Sequence, residues 1–274
     1  MRQTKGLQRN TIDKYYTTSR AVEYCLGLFR QSISVAENDI IIEPSAGNGA
    51  FIDGIKSISS NYRFYDIEPE HVEIIKQDYL QISKESFRST DSKIHLIGNP
   101  PFGRQSSLAI QFIKKSAEFC DTIAFILPKS FKKESLRKTF PPYFHLVLET
   151  DLPEKSFLVD GEEYDVPCIF QIWEKRARAR EVAEKQEPAH FQFVKKTESP
   201  DISFRRVGVY AGKIDTCISD KSEQSHYFIQ FTNGKTVEEN MGLLATVQYA
   251  DLNNTVGPRS ISKQELIKEW NQIL

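Results

Sequence analysis

Short apolar runs alternate with helical stretches between Asp39 and Leu127, and this pattern limits the possible folds more than any other feature. Each run is rich in β-branched residues and ends at a polar, glycine or proline turn, as strands do in a parallel sheet with crossover helices. We therefore predict an α/β, Rossmann-like domain on a seven-stranded sheet whose last two strands form an antiparallel edge hairpin. The predicted strands are Ile40 to Glu43, Tyr62 to Asp66, Val72 to Lys76, Ile94 to Gly98, Thr122 to Leu127, Tyr143 to Glu149 and Cys168 to Trp173.

The composition changes abruptly between Glu174 and Pro188, where charged residues and alanine replace the apolar runs. This change predicts a domain over residues 1–175, a charged linker over 176–188 and a small α+β module over 189–274. A capping-box pair, Ser262 and Glu265, predicts the start of a C-terminal helix that runs to Ile273. Alternating segments predict further structure in the module at Phe191 to Lys195, Ser203 to Tyr210, Tyr227 to Phe231 and Leu244 to Tyr249.

The bulk composition of the 274 residues excludes several classes of protein. Hydrophobic residues at 39% and charged residues at 27% are typical of soluble globular proteins. Four scattered cysteines match neither a zinc site nor a disulfide framework, so we expect no metal. Because no apolar run could span a bilayer and residues 1–10 are polar, we expect an intracellular protein, cytoplasmic or nuclear, without membrane contact. A net charge of −1 implies that any surface for nucleic acid is local.

The first predicted strand breaks into a glycine-bearing turn and then opens a helix, in the sequence Ile40-Ile-Ile-Glu-Pro-Ser-Ala-Gly-Asn-Gly-Ala-Phe51. Gly47 and Gly49 let the backbone approach a ligand, and the first turn of the helix supplies unpaired N–H groups. In an open α/β sheet, ligands bind beyond the carboxyl ends of the strands. An ordinary turn between a strand and a helix would have the same residues, so this segment alone leaves both interpretations open.

Acidic residues follow the next two predicted strands. Asp66 ends the second strand, where its carboxylate could accept hydrogen bonds from both hydroxyls of a ribose. Asp78 follows the third strand and could accept from an adenine amine, while Tyr79 could stack on the ring. Singly, such aspartates are common turn or helix-cap residues. Arriving in this order at successive strand ends, they predict a nucleoside pocket.

The most specific motif is Asn99-Pro-Pro-Phe102, which directly follows the fourth predicted strand. The two prolines fix the backbone and have no N–H, so the loop presents acceptors without competing donors. The Asn99 side-chain oxygen and the Pro100 carbonyl could accept both hydrogens of an exocyclic amine, which would free the nitrogen lone pair for attack on a methyl group. Phe102 supplies a flat apolar face for a base removed from its stack.

Together these motifs resemble the Asn-Pro-Pro-Tyr/Phe class of amino-methyltransferases, which includes DNA and RNA adenine-N6 enzymes. The resemblance covers approximately Thr11 to Trp173 and implies S-adenosyl-L-methionine as the cofactor. It implies that Asp66, with Ile67 beside it, binds the cofactor ribose, and that Asp78 and Tyr79 hold its adenine. The methionine and ribose side would lie against Glu43, Pro44, Ser45, Ala46, Gly47 and Gly49, and the target amine against Asn99, Pro100, Pro101 and Phe102.

The resemblance also implies roles for two segments outside these motifs. Tyr16 and Thr17, in Tyr15-Tyr-Thr17, correspond to a segment that contacts the cofactor carboxylate in the family. Phe131, in Pro128-Lys-Ser-Phe131, lies where relatives place residues that line the target-base pocket, although a core role fits equally.

One dipeptide departs from this picture. Pro167-Cys168 is the nucleophile motif of cytosine-C5 methyltransferases. It lies in the predicted edge hairpin and is followed by Ile169 and Phe170, so we interpret Cys168 as a buried strand residue.

The C-terminal module interleaves aromatic and basic residues, among them Lys195, Arg205 and Arg206. Such spacing suits a surface that stacks on bases and contacts phosphates, so these three are the predicted substrate contacts. Half-buried strands with polar outer faces produce the same pattern. Since the module follows the catalytic domain, as target-recognition regions do in DNA adenine methyltransferases, we favour DNA over RNA as the partner.

Three other functions stay open from the sequence. Adenine-N6 methylation of RNA, including cap-proximal adenosine, would use the same Asn-Pro-Pro-Phe chemistry. Protein glutamine-N5 methylation shares the amide-nitrogen logic, but those enzymes usually have Tyr after the prolines and a helical domain in front, whereas this chain has Phe102. A non-enzymatic binding subunit would be expected to have a broken motif, and both the glycine turn and the Asn99 motif are intact.

Overall fold

A computed structural model describes residues 15–87 and 92–274. Residues 11–14, where the resemblance to the amino-methyltransferases begins, lie outside the described part. The chain divides into two compact units, Met1–Val182 and Ala183–Leu274. In chain order, unit 1 contains β1 (Tyr16–Thr17), α1 (Ser19–Ser32), β2 (Ile40–Glu43), α2 (Ile52–Lys56), β3 (Tyr62–Asp66), β4 (Ile75–Lys76), β5 (Ile94–Gly98), α3 (Ser107–Ala117), β6 (Thr122–Pro128), α4 (Glu134–Arg137), β7 (Phe144–Asp151), β8 (Phe157–Val159), β9 (Glu162–Tyr164) and β10 (Cys168–Lys175).

Seven strands of unit 1 form one sheet in the order β4-β3-β2-β5-β6-β10-β7. The first five are parallel, and β10 is inserted antiparallel between β6 and the edge strand β7. The predicted fold class is confirmed. The third strand is shorter than predicted, because Val72 is 96% exposed and pairing starts at Ile75.

The central strands have helices on both faces and are therefore buried throughout, which is why their sequences read as continuous apolar runs. All seven residues of β6 are buried. Cys168 lies in β10, and burial raises the pKa of its thiol. Because a nucleophilic cysteine needs an accessible thiolate, this environment agrees with the interpretation of Cys168 as a core residue.

A small antiparallel sheet, β1-β8-β9, lies outside the predicted elements. Tyr16 pairs with Leu158, and Thr17 pairs with Phe157. The hairpin of β8 and β9 turns through Asp160 and Gly161, both with positive φ. The three strands are short and β9 is fully exposed, so they leave only a weak signal in the sequence.

Unit 2 contains β11 (Phe191–Val194), β12 (Ile202–Arg205), β13 (Ile214–Asp215), β14 (His226–Phe231), α5 (Val237–Leu244) and α6 (Lys263–Trp270). Its four strands form an antiparallel sheet in the order β11-β14-β12-β13. The buried core centres on Trp270, which contacts Phe191 and Phe204 edge-on. The capping box of Ser262 and Glu265 is present at the start of α6.

Two predicted segments of the module differ in the structure. The segment from Ser203 to Tyr210 leaves the sheet after Arg205, because the chain turns through Gly208, which has a φ of +98°. The segment from Leu244 to Tyr249 is not a strand, since Leu244 is the buried last residue of α5. Helix α5 was not predicted, although Thr236 and Glu239 form a second capping box.

The predicted linker over 176–188 is packed at both ends. Arg180 lies over the Trp173 ring at 5.4 Å and donates hydrogen bonds to the carbonyls of Phe140 and Phe144. Gln186 exchanges hydrogen bonds with Gln264 of α6. The boundary between the units, after Val182, therefore lies between two anchored segments. None of the described helices is long and apolar enough to cross a membrane.

Candidate functional site

The loops that follow β2, β3 and β5 meet at the carboxyl edge of the large sheet, and three hydrogen bonds join them. The Ala46 amide donates to the Tyr65 carbonyl at 2.9 Å, and the Gly47 amide donates to Asp66 Oδ2 at 2.8 Å. The Ser45 hydroxyl donates to the Asn99 carbonyl at 3.1 Å. The glycine turn, the acidic strand end and the Asn-Pro-Pro-Phe loop are therefore parts of one site.

The glycine turn depends on a backbone conformation that other residues rarely adopt. Gly47 has a φ of +53°, in the left-handed region where a Cβ is strained. A Cβ at this position would lie 3.6 Å from the Tyr16 ring, so the strain comes from the dihedral angle and not from a clash. The whole turn runs from Pro44 to Gly49 and leads into α2. Within it, the Gly49 amide donates to the Ala46 carbonyl at 2.7 Å.

Asp66 shapes the turn as well as facing it. Its Oδ2 accepts from the Gly47 amide and its Oδ1 accepts from the Glu68 amide, both at 2.8 Å. A carboxylate oxygen can accept a second hydrogen bond, so this arrangement leaves acceptor capacity for ribose hydroxyls. Ile67 follows with 62% of its surface exposed, beside this carboxylate.

Glu43 is a buried carboxyl group at the end of β2, with 2% of its surface exposed. Burial raises its pKa well above the usual range, and the negative charge of Asp66 raises it further. Among the described residues, its Oε2 has no hydrogen-bond partner. The unsatisfied carboxyl oxygen fits a ligand with hydrogen-bond donors, and the nearby Asp66 carboxylate fits a ligand with positive charge. S-adenosyl-L-methionine has both.

The Asn99 amide is held in one orientation by the segment around β1. Its Nδ2 donates to the Tyr15 carbonyl at 3.1 Å and to Thr17 Oγ1 at 3.3 Å. Its Oδ1 is buried and accepts no hydrogen bond from the part of the chain that the structure describes. Buried polar atoms are normally paired, so this oxygen has the character of a ligand acceptor.

The backbone after the motif is fixed by close packing. The Phe102 carbonyl accepts from the amides of Leu108 and Ala109 at 3.1 and 3.3 Å, and its half-buried ring contacts the core. Gly103 follows with a φ of +66°, and a Cβ there would lie 2.8 Å from the Leu108 side chain and 3.0 Å from its amide. A larger residue at this position would displace the loop that carries Pro100 and Pro101.

Two aromatic residues predicted to face ligands are core residues, and those predictions are wrong. Tyr79 is 1% exposed, stacks on Phe112 at 5.4 Å and hydrogen-bonds through its hydroxyl to Ser116 at 2.9 Å. It has no free face for a cofactor adenine. Phe131 is fully buried in the same core cluster, because the 3-10 turn Lys129–Lys132 directs its ring inward, and it cannot line a target-base pocket.

Three other predicted cofactor residues, Tyr16, Thr17 and Asp78, make hydrogen bonds within the protein. Asp78 Oδ1 accepts from the Leu80 amide at 3.0 Å, as an N-cap of the turn Tyr79–Gln81. The Tyr16 hydroxyl donates to Glu70, a contact that was not predicted. Thr17 Oγ1 and the Tyr15 carbonyl both accept hydrogen bonds from Asn99 Nδ2. Tyr15 makes this contact through its backbone, so its side chain did not predict it.

The three predicted substrate contacts of unit 2 have different environments. Lys195 is exposed, with its Nζ 3.9 Å from a Glu198 oxygen. Arg206 lies 5.5 Å from the centre of the Tyr227 ring. Arg205 is half-buried and donates to the Val207 carbonyl and to Ser225, so two of its nitrogens are engaged within unit 2.

Comparison with known proteins agrees with this architecture. The profile of a family described as the EDM2 methyltransferase-like domain matches residues 37–177, just over half of the chain. The chain belongs to this family. The matched residues include the glycine turn, Asp66 and the Asn99 motif.

Two type II methyltransferases of Haemophilus influenzae, M.HincII and M.HindII, are each 29% identical to this chain over 102 residues. That segment is 36% of this chain, but 19% and 18% of the two relatives, so the chain spans about a fifth of the length of the curated relatives it matches. Fold and family together support an S-adenosylmethionine-dependent methyltransferase, with S-adenosyl-L-methionine as the cofactor.

Solved structures align with lower identity. The 23S rRNA methyltransferase ErmE covers 60% of this chain and 71% of its own length, with 14% identity and a TM-score of 0.44. An rRNA methylase from Streptococcus thermophilus covers 57% of this chain and 94% of its own, with 12% identity and a TM-score of 0.38. At these identities the likeness concerns the fold alone.

Proposed function

We propose that this chain transfers a methyl group from S-adenosyl-L-methionine to the exocyclic N6 amine of adenine in nucleic acid, with DNA favoured as the substrate. The observation that carries this proposal is the buried Asn99 Oδ1, which has no partner among the described residues. Its own Nδ2 is already committed to Tyr15 and Thr17, so the oxygen is presented as an acceptor in a fixed direction.

A neutral amide oxygen can accept hydrogen bonds from an amine nucleophile. It cannot remove the proton that a hydroxyl nucleophile would have to lose. The lone pair of an exocyclic amine is delocalised into the base. When Asn99 Oδ1 and the Pro100 carbonyl accept both amine hydrogens, the nitrogen is held towards a tetrahedral geometry and the lone pair becomes available. Prolines at 100 and 101 contribute no N–H that would compete for these oxygens.

The cofactor would be held by the glycine turn around Gly47, by Asp66 and by Glu43, with its methionine and ribose portions nearest these residues. When bound, S-adenosyl-L-methionine supplies an electrophilic methyl group on a positively charged sulfur. Asn99 Oδ1 and the Pro100 carbonyl would orient the amine nitrogen towards that methyl group, and the proton that the nitrogen gives up would pass to water. The nearby Asp66 carboxylate favours a positively charged ligand, and the buried Glu43 carboxyl group offers an oxygen for hydrogen bonding.

The family match supports the methyltransferase part of this proposal, and the similarity to type II methyltransferases over 102 residues supports nucleic acid as the substrate. The substrate and the adenine position are inferences from the loop chemistry. RNA adenine methylation is the principal alternative, because the same loop would serve it. Glutamine-N5 methylation of a protein is a weaker alternative, because those enzymes usually have Tyr after the prolines and this chain has Phe102.

The test is to incubate the chain with a methyl-labelled donor and separate pools of duplex DNA, single-stranded DNA, capped RNA, uncapped RNA and protein. Digestion to nucleosides and chromatography then identify the labelled product. We expect N6-methyladenine nucleoside from a DNA pool. Label on another base, on protein glutamine or on none of the pools would contradict the proposal, and label on RNA adenine would replace DNA as the substrate.

A further inference from the structure

Unit 2 contains an open groove of about 360 Å³ beside β11 and β14. We call it the module groove. Four cationic side chains line it, against the single carboxylate of Glu223, and they are Lys195, Lys196, Arg206 and Lys263. Since the whole chain has 36 basic and 37 acidic residues, this concentration of positive charge is local.

Two of the cations are fixed on aromatic rings. Lys263 Nζ lies 4.4 Å from the centre of the Phe193 ring and 5.8 Å from that of Tyr227. The Arg206 guanidinium lies 5.5 Å from the Tyr227 ring and donates to the Gln224 carbonyl at 2.8 and 3.2 Å. Cation–π contacts of this kind restrict long side chains, so less conformational entropy is lost when an anion binds.

The aromatic rings are themselves held in place. Phe193 and Tyr227 meet edge-on at 5.5 Å, and the Tyr227 hydroxyl donates to the Ile261 carbonyl at 3.3 Å. Because cations lie over these rings, the rings act as supports and not as open stacking platforms. The groove is therefore organised to bind charge, which matches the phosphate contacts suggested by the sequence pattern but not the stacking on bases.

The positive charge is weakly compensated by the protein itself. In residues 15–87 and 92–274, no carboxylate lies within ion-pair distance of Arg206 or Lys263. Lys195 has only a pair at 3.9 Å with Glu198, and Lys196 donates to the carbonyls of Ser219 and Lys221. A groove with several uncompensated cations attracts a ligand with several negative charges.

We propose that the module groove binds the phosphate backbone of a nucleic-acid strand and so anchors the substrate without reading its sequence. This inference rests on the proposed function, in which nucleic acid is the substrate. Phosphate contacts supply affinity and position, whereas contacts to base edges supply specificity. Several spaced cations match the regular spacing of charges along a phosphodiester chain.

Fluorescence polarisation with a labelled 20-base-pair duplex made only of G·C pairs tests the groove apart from methylation, because this probe contains no adenine. In the full chain, Arg206→Gln/Lys263→Gln should reduce affinity at least about tenfold. The slope of log K against log salt should fall in magnitude by about 2, since each lost phosphate contact removes about 0.9. Arg206→Lys/Lys263→Arg keeps both charges and should keep most of the slope.

The matched control is Lys235→Gln/Lys268→Gln, which removes two exposed cations of unit 2 outside the groove. It should leave the affinity and the slope unchanged. The proposal is overturned if the groove variant behaves like this control, or if polyglutamate at equal charge displaces the duplex as well as unlabelled duplex does. Because binding of this duplex needs no methyl transfer, a failure here leaves the adenine-methylation test separate.

Discussion

The two units contain polar groups of opposite kinds. In the part of unit 1 that the structure describes, the strand-end site has two buried side-chain oxygens without a hydrogen-bond partner, Glu43 Oε2 and Asn99 Oδ1. In unit 2, the module groove has cations held on aromatic rings and open to solvent, at Arg206 and Lys263. Buried polar atoms select a ligand by geometry, because each must be satisfied, whereas spaced cations bind a chain of regularly spaced phosphates without reading its sequence. In the proposed function, methyl transfer therefore belongs to unit 1 and anchoring of the nucleic acid to unit 2.

The largest effect is expected at Asn99. If Oδ1 contacts the target amine mainly as the nitrogen becomes tetrahedral, the contact is stronger in the transition state than in the ground state. Asn99→Ala should lose at least about a hundredfold in turnover, as when one preorganised transition-state partner is removed. Cofactor and nucleic-acid affinities should stay within about threefold of the parent.

Single-turnover methylation with separate binding titrations measures this split between rate and affinity. Asn253→Ala, an exposed asparagine of unit 2, is the control and should keep full activity. Near-parental turnover in a folded Asn99→Ala protein would remove Asn99 from the mechanism.

Asp66 should affect the cofactor more than the nucleic acid. Asp66→Ala removes the acceptor of the Gly47 and Glu68 amides and, in the proposed site, of the ribose hydroxyls. We expect the Kd for S-adenosyl-L-methionine to rise more than about tenfold, because hydrogen bonds to a charged group contribute about 1.5–3 kcal/mol. Isothermal titration calorimetry measures it, with the exposed Asp53→Ala as control. Equal affinity in a folded Asp66→Ala protein would contradict the assignment.

Glu43 should make the free energy of unfolding depend on pH. Burial and Asp66 raise its pKa in the folded state, so above the pKa of the unfolded chain the folded protein binds one proton more. Stability contributed by this group therefore falls as pH rises from the unfolded pKa towards the folded pKa, by about 1.4 kcal/mol per pH unit. Glu43→Gln cannot titrate and should lack this fall.

Denaturant unfolding between pH 4 and 8 measures the slope for Glu43→Gln and for the parent. The exposed Glu37→Gln is the control and should follow the parent. Parallel stability curves for Glu43→Gln and the parent would mean that Glu43 is ionised in the folded protein.

The sequence predicted the large sheet well because its central strands are buried on both faces, so their apolar character is set by the fold. It predicted the joining of the Gly47 turn, Asp66 and Asn99, because parallel strands end at one edge. It did not predict which aromatic side chains turn inward, since Tyr79 and Phe131 sit beside functional motifs while their rings belong to the core. Nor does a sequence reveal a backbone acceptor such as the Tyr15 carbonyl.

Tyr79 should give the smallest effect. It tests whether an aromatic residue beside a functional motif belongs to the core or to the cofactor pocket. Tyr79→Phe removes the hydroxyl that pairs with Ser116, whose own hydroxyl keeps its hydrogen bond to the Phe112 carbonyl at 2.7 Å. No buried group is left unsatisfied, so stability should fall by about 1 kcal/mol. Cofactor affinity should not change.

Tyr79→Leu removes the ring itself, which costs more stability through the lost stacking on Phe112. Calorimetric titration of both variants, where each is folded, should give Kd values for S-adenosyl-L-methionine within about twofold of the parent. A loss of more than about tenfold in Tyr79→Leu alone would return Tyr79 to the cofactor pocket, since a stacking contact on adenine is worth about 1–3 kcal/mol.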